Sequence, residues 1–188
     1  MTGRYSKSGL WTLFLTCAFP IHVWCIILLL RDISWVSERT NAWDALGVIS
    51  YGLVFALVES VVVFLLAAVA GLLISTKWDE SLRIAILGAS ILVLSFWAIY
   101  SQSHFVWGLS VPAMFFQITS GSQHPVRILY VYFFSLVSIS IIIPVFLILF
   151  QQKVYRFVQS ALDRISTVTI LYIFFDIVGF VIVIIRNF

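Results

Sequence analysis

Residues 10–30, 46–74, 84–100, 128–150 and 167–185 form five runs of almost unbroken apolar side chains. Each is long enough to cross a hydrocarbon layer ~30 Å thick as a helix rising ~1.5 Å per residue. A chain built this way cannot cover itself with polar surface: only 10% of its 188 residues are charged, and the mean hydropathy is +1.11. The runs lack the apolar and polar alternation of barrel strands. In lipid, the remaining way to satisfy the backbone is hydrogen bonding within each segment. The expected fold is therefore an all-α, polytopic transmembrane helical bundle occupying residues 1–188 as one integral membrane domain, with five spans and a sixth possible.

The open question in the topology is residues 104–120, apolar enough to touch the membrane but interrupted by Gly108, Ser110, Pro112 and Gln117. With five spans, seven of the 11 basic residues (Arg4, Lys7, Lys77, Arg83, Lys153, Arg156 and Arg164) share one side, against Arg31, Arg39, Arg127 and Arg186 on the other. A sixth crossing would nearly erase that bias. The positive-inside rule thus favours five spans, a cytoplasmic N-terminus and an external C-terminus, with 104–120 interfacial or re-entrant. Trp11, Trp35, Trp43, Trp78 and Tyr100 lie near span ends, as headgroup anchors do.

Residues 151–166 follow a different pattern. Val154, Phe157, Val158, Ala161, Leu162 and Ile165 recur at helical spacing, with Lys153, Arg156, Asp163 and Arg164 opposite. The expectation is a cytoplasmic amphipathic helix, with Lys153, Arg156, Phe157 and Arg164 as its lipid or partner surface.

Each ionisable group at mid-span needs a physical reason, because a carboxyl at the bilayer centre costs on the order of 3 kcal/mol on insertion scales. Glu59 and Asp176 fall at the centres of the second and fifth runs, and His22 lies near the centre of the first. Ser138 and Ser140 sit at the same depth in the fourth. These five residues are the expected buried polar layer, serving as a relay, a polar pocket or a packing cluster, with the two acids facing the bundle interior. Pro20 and Pro144 lie close enough to kink that layer.

No other constellation carries chemistry. Cys17 and Cys25 are eight residues apart on one predicted helix and cannot bridge each other within it. His22 and Cys25 would supply at most half of a metal site, and His104 and His124 read as solvated loop residues. No nucleophile elbow, phosphate loop or dinucleotide fingerprint is present, so no catalytic, cofactor or metal residue is assigned. Nucleic acid is not an expected partner; membrane lipids and other membrane subunits, or further copies of the chain, are. The leading functional expectation is a small non-enzymatic subunit or assembly partner of a membrane complex, in a plasma or bacterial inner membrane. A small transporter or proton- or cation-conducting subunit using the mid-membrane carboxylates is the alternative, and a lipid- or quinone-handling membrane enzyme using His104 and His124 the second.

Overall fold

A computed structural model describes residues 5–75, 77–110, 113–119 and 121–188, the side chains of 114, 116 and 118 excepted. The described chain is helical throughout: α1 (Lys7–Arg39), α2 (Ala42–Gly71), α3 (Glu80–Trp107), α4 (Ala113–Thr119), α5 (Pro125–Phe150) and α6 (Gln152–Asn187). Five of these, all but α4, are long and apolar enough to cross a membrane. The protein is an integral membrane helical bundle. All five helices run past most of their apolar limits, because the hydrogen-bonded ladder continues into the polar boundary where side chains such as Lys7, Arg39 and Asn187 are at home.

Helix α1 is the hub. It packs against α2, α3 and α6, and its Leu13, Leu15, Thr16, Cys17, Ala18 and His22 are completely or almost completely buried. Ser6 caps it by accepting from the Gly9 amide, and Ser6 in turn donates from both its backbone N and its Oγ to Glu80 Oε1 at 2.6 and 2.8 Å. That contact ties the start of α1 to the start of α3, so the two run side by side in the same direction. At the other end Arg186 of α6 binds Asp44 Oδ1 at 2.8 Å and lies over the Trp43 ring, fastening the end of α6 to the start of α2. Midway, Gly179 brings α6 against the backbone of Ser50: a Cβ there would stand 3.3 Å from the Ser50 carbonyl oxygen.

Helix α5 is peripheral, packing on α3, α6 and the short α4, with Ile148 its one buried residue among those described. Here Trp97 Nε1 of α3 donates to Ser140 Oγ at 2.9 Å, and the Ser140 hydroxyl donates on to the Val137 carbonyl.

Two expectations need correcting. The segment 151–166 is helical and amphipathic, but it is not a separate helix lying on a surface. It is the first part of α6, one 36-residue helix roughly 54 Å long. Its apolar face finds protein: Leu162 is buried against Gly88, and Val154 and Val158 pack on Ala85, Ile86 and Ile148. Of the proposed surface residues, Lys153, Arg156, Phe157 and Arg164 are all exposed, as a lipid or partner face requires. The segment 104–120 divides. Residues 104–107 end α3, Gly108 closes it with a left-handed φ of 61°, and Ala113–Thr119 forms a helix too short to span, whose Phe115 ring meets Tyr132 and Phe133 of α5. Residues 111, 112 and 120 lie outside the described set. His104 is accordingly a residue of the last turn of α3, its Nδ1 3.2 Å from the Leu109 carbonyl, while His124 occupies the N-cap of α5.

Candidate functional site

The five residues of the expected polar layer separate into three places. His22 and Asp176 meet, although α1 and α6 are the first and last helices of the chain. Both side chains are fully buried, and Nε2 of the imidazole lies 2.9 Å from Oδ2 and 3.1 Å from Oδ1. The other ring nitrogen, Nδ1, is 2.8 Å from the Ala18 carbonyl oxygen. A carbonyl can only accept, so Nδ1 carries hydrogen and donates. The ring is thus held at both nitrogens, by the Ala18 carbonyl on one side and the Asp176 carboxyl on the other. Tyr172, one turn before Asp176 on α6, lies parallel to the imidazole with centroids 5.8 Å apart and covers its face.

Four other buried polar residues are closed on themselves. Thr16, Ser50, Ser60 and Thr169 are buried, and each hydroxyl donates to the carbonyl four residues earlier in its own helix. They satisfy their own hydrogens without linking to His22 or Asp176.

Ser138 and Ser140 are elsewhere. Ser140 is committed to the α3–α5 contact through Trp97, and Ser138 is half-buried on the same peripheral helix. Neither joins the His22–Asp176 pair.

Glu59 is the main departure. The expectation that both acids face the interior fails for it: Glu59 is exposed, and its neighbour Ser60 takes the fully buried position. One residue of helix is a turn of about 100°, so only one of two adjacent side chains can point at the core. The smaller, self-satisfied hydroxyl does so. The Cys25 thiol donates to the Gly52 carbonyl at 3.3 Å and registers α1 against α2. That register sets Glu59 about one helical turn nearer than His22 to the end of the bundle that carries Lys7.

Glu59 there lines a cavity of about 410 Å³ enclosed on three sides by α1, α2 and α3. Its walls are mostly apolar, and Ser95 and Gln102 of α3 and Trp24 and Cys25 of α1 are among the lining residues. Glu59 makes no hydrogen bond or ion pair among the described residues. Trp24 Nε1 is buried and also lacks an acceptor among them, while its ring meets Trp107 edge to face. Sequence reasoning missed Trp24, Ser95 and Gln102, since nothing in their local spacing says that they line one cavity with Glu59.

Other candidates disperse. His22 and Cys25 are engaged with different partners, and no group of three metal-ligating side chains occurs among the described residues. At the end of the bundle holding the start of α1, a second polar recess of about 540 Å³ is lined by Ser6, Ser8, Thr12, Glu80, Ser81, Gln159 and Asp163. A scan against family models and searches of curated proteins and of solved structures found no match.

Proposed function

We propose that this protein is a non-enzymatic membrane subunit that assembles with other membrane proteins, oriented with its N-terminus in the cytoplasm of a plasma or bacterial inner membrane. The observation that carries the reading is the contrast between the two acids. Asp176 is paired with His22 inside the bundle, whereas Glu59 stands at hydrocarbon depth on the outside with no partner among the described residues. A carboxyl in that position costs on the order of 3 kcal/mol, and a group from beyond the bundle is the natural means of offsetting it.

The conducting alternative draws less support from the geometry. A relay needs a chain of exchangeable groups, and the buried hydroxyls of Thr16 and Thr169 on the same two helices are bonded back to their own backbones. The test is extraction from the native membrane in mild detergent and measurement of particle size. A particle well above the 21.4 kDa chain containing other proteins in fixed ratio is expected; a lone chain or a homo-oligomer overturns the reading.

A further inference from the structure

We infer that the groove between α1, α2 and α3 seats a transmembrane helix of a different protein, which presents a basic side chain to Glu59. The inference rests on the assembly reading above and names the face and chemistry of the partner. Depth selects the donor. The cationic groups of lipids stay at the headgroup level, about 15 Å from the centre of a ~30 Å hydrocarbon layer, whereas a Lys or Arg on a spanning helix can be placed at any height.

Charge complementarity excludes a second copy as the occupant. No Lys or Arg lies near the middle of any of the five apolar runs, and His22 already serves Asp176. The length of the groove suits a helix. The cavity at Glu59 shares Cys25 and Leu28 with a neighbouring one of about 590 Å³ that extends to Trp35 and Val36. From Pro20 to Val36 this follows roughly 24 Å of α1, from the middle of the first apolar run to past its end at residue 30. Trp24 Nε1, buried beside the same groove, is a donor without an acceptor among the described residues. A partner helix with a hydroxyl or amide one turn from its cation would supply both complements.

The test uses the full chain in bicelles, with a fluorescently labelled polyleucine transmembrane peptide carrying one central lysine as probe and the all-leucine peptide as reference. The lysine peptide is expected to associate about tenfold more strongly, the preference disappearing in Glu59→Gln and surviving in Glu38→Gln, an acid at the opposite end of α1 from the level of Glu59. Equal association of both peptides, or a preference that persists in Glu59→Gln, overturns the inference. The native particle separates this failure from that of the assembly reading. A multi-protein particle that stays intact in Glu59→Gln overturns the groove assignment alone, and a wild-type particle without other proteins overturns the assembly reading. An amine-bearing lipid that co-purifies with wild type and is lost in Glu59→Gln also overturns the partner-helix assignment.

Discussion

Nε2 of His22 faces both carboxylate oxygens of Asp176, at 2.9 and 3.1 Å, and this contact between residues 154 positions apart joins the first helix of the protein to its last. Because Nδ1 is held by Ala18, the imidazole cannot turn away without losing two interactions. The pair thus fixes both the rotation of α1 and the register of α6.

Removing one member should hurt more than the contact itself is worth. Asp176→Ala leaves a buried imidazole facing an apolar gap, and its cost is expected at about 3 kcal/mol, because an unpaired buried group remains. The coupling energy from the cycle with His22→Ala should be about 1–2 kcal/mol, in the upper range for intramembrane hydrogen bonds. Reversible unfolding of the single and double variants in mixed micelles provides the numbers. Additive losses would contradict the geometry.

Glu59 should behave in the opposite way. With no partner among the described residues, its replacement by Leu removes a carboxyl from hydrocarbon and should leave stability unchanged or raise it, by up to on the order of 3 kcal/mol. The same unfolding assay reads this, and a loss comparable to that of Asp176→Ala would mean that Glu59 supports the fold.

Gly179 lets α6 lie against Ser50. A leucine at 179 has no space beside that backbone and should lower stability by about 1–3 kcal/mol through overpacking, pushing α6 off α2. The displacement should be visible as a lower yield of cross-linking between cysteines placed at 44 and 186, positions that the Arg186–Asp44 contact brings together.

The merger of the amphipathic segment with the last span is testable by chemistry. In a background with Cys17 and Cys25 replaced by Ala and Ser, cysteines at 88 and 162 should cross-link readily with a short bifunctional thiol reagent, because Leu162 lies directly on Gly88. A pair at 88 and 157 should not, since Phe157 is 73% exposed. A helix lying in the headgroup plane would give neither product.

Much of the fold could be read before any coordinates. Five hydrophobic runs dictate five spanning helices whatever their arrangement, and the weak charge bias had already favoured a non-spanning segment where α4 stands. Helix ends were less legible, because hydropathy reports where lipid stops and not where hydrogen bonding stops. The last span shows this most clearly: residues 152–166 look like a separate surface element because their polarity differs, while the backbone passes through residue 166 without a break.

Depth along a helix is a one-dimensional quantity, and sequence arithmetic sufficed to bring His22, Glu59 and Asp176 to similar heights. Rotation and neighbourhood are not. Whether Glu59 or Ser60 enters the core depends on how α2 is turned against α1, and whether Ser140 meets Asp176 or Trp97 depends on α5 packing at the edge. Those choices are made by close packing summed over whole helix faces, with Gly52 and Gly179 setting the distances of approach, and no local pattern encodes that sum. The chain composition alone determined that the protein lives in lipid; only the tertiary structure decided which acid is closed inside the bundle and which is turned outward.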